Sequence, residues 1–437
     1  MAERSQNNST NYEHPQESNL FNVHKAMEYN GLGQPILRVT TSPGEASGGG
    51  IDAFGRQQVA QPYTLFDSQH RYAQNDKYWT STASGATIAH DADASVVNMN
   101  LATTSGSKAV METTKVFPYQ PGKALEIFAT FTMDSPQTNL RQRVGYFGTE
   151  NGVFLEQDGS DVYLVLRSKS SGSVVETRVA QTDWNADKLD GNGASKITLD
   201  LTKSQILFID IEWLGVGTVR AGFVINGAFV FAHKFHHANL GTSTYMTTAA
   251  LPVRYEAEAT DTLSSTAQMK HICSTVVSSG GFAPGGRSFQ YGRGLLYYTA
   301  STAGTFYHLV SLKLNSSRLD DIVIPNNINV LTNSNQNLQY KLVLNATFAS
   351  SLTFTTHANG TVDHSVTNTA VTAQGIELAT GYIVNKGEAG TFTLEALRQL
   401  QLSRQNGTAD VLSLIATADN NNTTMTGNFG WLEPLRS

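Results

Sequence analysis

The sequence is poor in charge, in cysteine, in helix-period stripes and in long apolar runs. Acidic and basic residues make up 15% of its 437 residues, against about a quarter in ordinary globular chains. The single cysteine, Cys273, excludes an intrachain disulfide, so stability must come from burial. No apolar run approaches the roughly 20 residues of a membrane-spanning helix. Residues 1–14 have no apolar core, so no signal peptide is expected. A formal net charge of -6 leaves no basic footprint for nucleic acid. Neither a membrane nor a nucleic acid is therefore an expected partner.

What is present is glycine, serine, threonine and asparagine between short alternating stretches, the mark of an all-β chain with many turns. Residues 206–239 set the pattern. Leu207, Ile209, Ile211 and Trp213 alternate with Phe208, Asp210 and Glu212. Val219, Ala221, Phe223 and Ile225 form a second apolar face, and Phe229, Phe231, His233 and Phe235 a third. Strict alternation signals strands with one buried face. Asn226-Gly227 between the second and third is a strong hairpin signal, because both central residues must take φ > 0. The expectation is an antiparallel meander, with Trp213 and Phe223 buried between two sheets.

The same reading along the chain predicts strands at 97–101, 125–133, 144–147, 153–157, 162–167, 252–258 and 269–277. Gly-rich turns separate them, as in a sandwich. Residues 280–286, GGFAPGG, are the clearest interior breaker. Beyond it, strands are expected at 307–314, 339–344, 352–356 and 411–416, with a closing strand from Phe429 that docks Trp431. Residues 391–404 fit neither the helix nor the strand period. The fold expected is all-β: an antiparallel β-sandwich of concanavalin-like jelly-roll type at 51–282, a second β-rich domain at 283–437, and an extended arm and linker at 1–50. The arm is polar, with one strand-like piece at 35–40. It is either a disordered tail or an assembly arm that orders on a neighbouring subunit, with Phe21, Leu32, Ile36 and Leu37 as anchors.

Few constellations suggest chemistry. Asp210 and Glu212 lie two apart on one strand, so alternation puts both on one face. Glycosidases on concanavalin-like sandwiches use a related pattern, E-x-D-x-E, but Phe208 stands here at the first position, and retaining hydrolysis needs two placed carboxylates. Arg220 is the natural cross-strand partner of this face. His233, His236 and His237 do not converge on a regular strand, and no cysteine or carboxylate at ligand spacing joins them. Residues 183–187 begin like a calcium loop, but Lys188 and Ala194 occupy the positions that need Gly and Glu. No Walker loop, nucleophile elbow or zinc motif is present. The expectation is no catalytic residue, no metal, no cofactor and no enzymatic activity.

Three stretches carry a resemblance: 54–72 (FGRQQVAQPYTLFDSQHRY), 115–132 (KVFPYQPGKALEIFATFT) and 211–239 (IEWLGVGTVRAGFVINGAFVFAHKFHHAN). Together they resemble a recurrent family of tailed-bacteriophage virion structural proteins, from residue 51 to the closing Trp431-Leu432-Glu433. The resemblance implies a non-enzymatic structural component of the virion, assembled in the host cytoplasm, in contact with other virion proteins and with copies of itself. It supplies no catalytic residues. The competing expectation is a glycan-binding module of a fibre that recognises a host surface glycan, with Trp79 and Trp184 as the binding residues. It rests on fold analogy.

Overall fold

The computed structural model describes residues 61–117, 119–281, 285–318, 321–384 and 409–434, together with the backbone strands His24–Tyr29, Pro35–Thr40 and Ala389–Thr393. It is an all-β structure, with no α-helix among the described residues. Two antiparallel sheets form the first sandwich. One has seven strands, in spatial order Val175–Ala180, Asp161–Ser168, Gly152–Asp158, Leu140–Phe147, Val253–Ala259, Lys108–Thr113 and Trp79–Ser84. The other has eight: Ala228–Phe235, Val219–Ile225, Gln205–Ile211, Leu125–Thr132, Ala267–Ser278, Val96–Leu101 and Ala86–Asp91 in order, with Tyr63–Gln69 pairing to Ala267–Ser278 off that path.

The alternation explains the layering. On Leu125–Thr132, Leu125, Ile127, Ala129 and Phe131 are buried, and the residues between them are half-buried. Leu207, Ile209, Val219, Ala221 and Phe223 enter the same core, facing Val144, Tyr146, Val153, Leu155, Val253 and Tyr255 of the other sheet. Asn226 and Gly227 have φ of 53° and 77°, as the tight turn between Val219–Ile225 and Ala228–Phe235 requires. Phe223 is fully buried. Trp213 is only half-buried, because its strand ends at Ile211; its ring meets Tyr119 edge-on at 6.1 Å.

A second core is built from residues 300–431 and shares no residue with the first. It lies between two sheets. In spatial order one runs Gly286–Gly292, Thr423–Pro434, Ile324–Thr332 and Ala389–Thr393, with Tyr298–Ala300 also on Thr423–Pro434. The other runs Thr355–Thr356, Val362–Ser365, Tyr307–Leu314, Leu412–Ala418, Leu338–Leu344 and Ile376–Ile383. Trp431 is fully buried, stacked on Phe289 with centroids 5.8 Å apart. Two expectations change here. The strand expected at 352–356 shrinks to Thr355–Thr356, and the ambiguous 391–404 begins inside the strand Ala389–Thr393.

In the arm, Pro35–Thr40 is a strand as expected. It pairs along one edge with the chain's own His24–Tyr29, Ile36 opposite Glu28 and Leu37 opposite Met27. The other expected anchors, Phe21 and Leu32, lie outside the described residues.

Candidate functional site

The two outer faces of the first sandwich differ in chemistry. On the seven-stranded sheet, register lines up charges of alternating sign. Asp158 stands opposite Arg141, Arg141 opposite Glu258, and Glu258 opposite Lys108. One row along, Glu156 stands opposite Arg143, and Arg143 opposite Glu256. The Arg143 guanidinium bridges the two acids, with Nε donating to Glu156 at 2.5 Å and a terminal nitrogen to Glu256 at 3.2 Å. Arg254 joins Glu256 to Glu112, and Arg178 joins Glu156 to Asp158. Glu156 and Glu256 are 0% and 3% exposed.

Gly145 leaves room in this lattice. A Cβ there would meet the Val153 carbonyl at 2.5 Å and the Phe154 backbone. Phe154 instead lies against Phe147, ring centroids 4.4 Å apart, with Arg143 and Arg167 over its face at 5.5 and 5.0 Å. Burial alone would raise the Glu256 carboxyl, but Arg254, Lys108 and Arg143 together outweigh it and hold it at about 2. Glu256 is therefore ionised at neutral pH and has no proton to give. This face is sealed by internal ion pairs.

The outer face of the eight-stranded sheet is aromatic. Phe208, Phe128, Phe229 and Phe231 gather with centroids 5.0–6.5 Å apart. Gly222, opposite both Phe208 and Phe231, makes the meeting possible: a Cβ there would strike the Val230 carbonyl and Phe231. Phe128, Phe229 and Phe231 are half-buried. Arg220 lies over Phe231 at 5.0 Å and donates through Nε to Asp210 at 2.8 Å, the expected cross-strand pair. Of the two carboxylates, Asp210 is buried in its ion pair with Arg220, and Glu212 is fully buried beyond the strand's end.

The histidines separate as their spacing implied. His233 accepts from the Asn185 backbone at 3.3 Å, and burial lowers it to about 4. His237 stacks on Tyr245 at 3.8 Å, and His236 reaches Thr218. In the would-be calcium loop, the Asp187 carboxylate already accepts from the Leu189 and Ser195 backbone N–H groups at 2.8 and 2.7 Å.

No family model matches the chain, and the comparison with curated proteins returns no match. Among solved structures, the chain is similar to the carbohydrate recognition domain of Emp47p (9% identity, 51% of this chain and 99% of that one, TM-score 0.32). It is similar to the exoplasmic/lumenal domain of VIP36 (7% identity, 49% and 89%, TM-score 0.31). It is also similar to a β-1,3-glucanase from Mycobacterium marinum (13% identity, 49% and 98%, TM-score 0.32). Identities this low bear on the fold alone. The expectation of a chain without enzymatic activity is withdrawn, since glucanase structures stand beside carbohydrate recognition domains among its neighbours.

The indoles expected to bind glycan are corrected by the structure. Trp79 is 2% exposed; its N–H donates to Ser68 at 2.8 Å and its ring meets His271 at 4.3 Å. Trp184 is 3% exposed, and its N–H donates to the Val179 carbonyl at 3.2 Å. Both entered the core because an indole buries much apolar area once its one donor is satisfied. Neither offers a ring face to a sugar. Sequence reading missed the charge lattice and the aromatic face. Four phenylalanines on alternating positions of neighbouring strands were the available signal for the second.

Proposed function

We propose that the chain is a structural component of a tailed-phage particle, held there through contacts between protein surfaces. The observation that carries the reading is the aromatic outer face of the eight-stranded sheet, where Phe128, Phe229 and Phe231 stay half-exposed around a buried Phe208. Partly exposed aromatics flanked by an ion-paired arginine match the composition of protein contact sites. The seven-stranded face, closed by its own ion pairs, is unsuited to that role. The resemblance of 54–72, 115–132 and 211–239 to virion structural proteins supports the same reading.

Localisation of the chain in purified particles by cryo-EM tests it, together with Phe229→Asp. We expect the variant to keep its melting temperature within a few degrees while incorporation into particles falls severalfold. Deletion of residues 1–50 should also lower incorporation if the arm engages a neighbour. Absence of the chain from purified particles, or normal incorporation of both variants, would overturn the proposal.

A further inference from the structure

The outer face of the sheet built from Gly286–Gly292, Thr423–Pro434 and Ile324–Thr332 is lined by neutral amides and glycines. Phe289, Tyr291, Ile328, Val330, Met425 and Phe429 turn inward to the second core, so alternation turns Gln290, Asn327, Asn329 and Asn428 outward. Register sets them in two rows. Gln290 faces Gly430, which faces Asn327; Gly292 faces Asn428, which faces Asn329. The glycines take the middle of one row and the end of the other, leaving a groove of about 540 Å³ walled by Gln290, Asn329, Leu331 and Asn428.

Two features point to a ligand. The Asn329 amide donates to the Asn428 carbonyl at 2.9 Å. This fixes both side chains and leaves the Asn329 oxygen and the Asn428 amino group facing out. Next to them, a β-bulge inserts Asn326 between Pro325, opposite Trp431, and Asn327, opposite Gly430. Bulges of this kind re-aim side chains beside sites. The bulge brings the Asn326 and Asn327 oxygens over Gly430, close enough that a Cβ at Gly430 would collide with both. Neither oxygen accepts a hydrogen bond from any described residue, an arrangement that costs about 1–3 kcal/mol for each shielded group.

No side chain with a formal charge lines the groove, so it has no attraction for a phosphate, a carboxylate or a metal ion. An amide donates and accepts through adjacent atoms, as a sugar's neighbouring hydroxyls do. Half-buried Leu331 supplies an apolar spot for a sugar's C–H face. The strand backbones are spent on the sheet ladder, so a peptide could bind only through side chains.

We propose that this face of the second sandwich binds a neutral oligosaccharide. The Asn329–Asn428 pair and Gln290 hold hydroxyls along the groove, and the Asn326–Asn327 bulge lies one row along the same sheet. The site is far in sequence from the two indoles that fold analogy suggested, and the proposal stands whether or not the chain belongs to a particle.

The test is saturation-transfer NMR of the full chain with maltohexaose, cellohexaose, laminarihexaose and chitohexaose. We expect transfer to at least one of them. Asn428→Ala should weaken its binding about tenfold, the loss of roughly one hydrogen-bond pair. Gln290→Ala, at an exposed position on an outer strand, should weaken it severalfold without touching the fold, so the test survives if Asn428→Ala misfolds. Phe229→Asp, on the first sandwich, should leave binding unchanged. Transfer to none of the four, or binding unaffected by both groove variants, would overturn the proposal. So would binding that falls steeply between 0.05 and 1 M salt, because a neutral site has no charge to screen.

Discussion

Arg143 decides more than any other single side chain on the charged face. It is buried between Glu156 and Glu256, and removing it takes one cation from each of these buried acids, leaving Glu156 to Arg178 and Glu256 to Arg254 and Lys108. We predict that Arg143→Met costs about 3 kcal/mol in urea unfolding. Replacing Arg143, Glu156 and Glu256 together with Met, Leu and Leu should recover most of that loss, since Arg178 and Arg254 keep Asp158 and Glu112. A triple variant less stable than Arg143→Met would show that the ions, not their imbalance, hold this face. None of this was legible beforehand. Arg143 and Glu256 are 113 positions apart, and sequence spacing says nothing about pairing at that distance. Asp210 with Arg220 was legible because the turn between their strands is short.

At the scale of the strand, alternation carried the reading wherever one face was apolar. The strand Leu125–Thr132 was visible for that reason. His24–Tyr29, HKAMEY, was not, because it has no apolar alternation to show. The bulge at Asn326 was hidden too: an inserted residue disrupts the very period on which strand reading depends. Glycines mark the difference between local and tertiary constraint. Gly227 has φ of 77°, and a methyl group added there would meet no atom within 4 Å, so Gly227→Ala should cost only backbone strain, about 1 kcal/mol. Gly145 meets the Val153 carbonyl instead, and Gly145→Ala should cost about 3 kcal/mol through overpacking. Urea midpoints measured side by side decide it; equal shifts would mean the sheet yields at Gly145 at no cost.

For the whole molecule, acid is the sharpest probe. Burial lowers His70 to about 4, with His90 adding to it, and drives His271, 3.2 Å from His70, well below its usual value. Burial also brings His308, in the second core, to about 4. A histidine depressed in the folded state binds its proton more readily when unfolded, so its contribution is complete above pH 6.5 and lost as pH falls toward 4. Glu256 acts later, losing its contribution only as pH falls from 4.5 toward 2. We predict a melting temperature that is flat between about pH 7 and 8 and declines between pH 6.5 and 4, with His271→Phe flattening that decline. A profile unchanged by His271→Phe would show that the buried pair does not govern it. The charge lattice has a consequence for how such a molecule is made. In the seven-stranded sheet Val253–Ala259 lies between Leu140–Phe147 and Lys108–Thr113, both distant from it in sequence, so during folding other neighbours are within its reach. Setting Gly152–Asp158 beside Val253–Ala259 would bring Glu156 and Asp158 against Glu256 and Glu258, acid on acid. The strand that carries Arg141 and Arg143 is accepted between them, so the sign of charge disfavours that wrong strand order as well as sealing the right one.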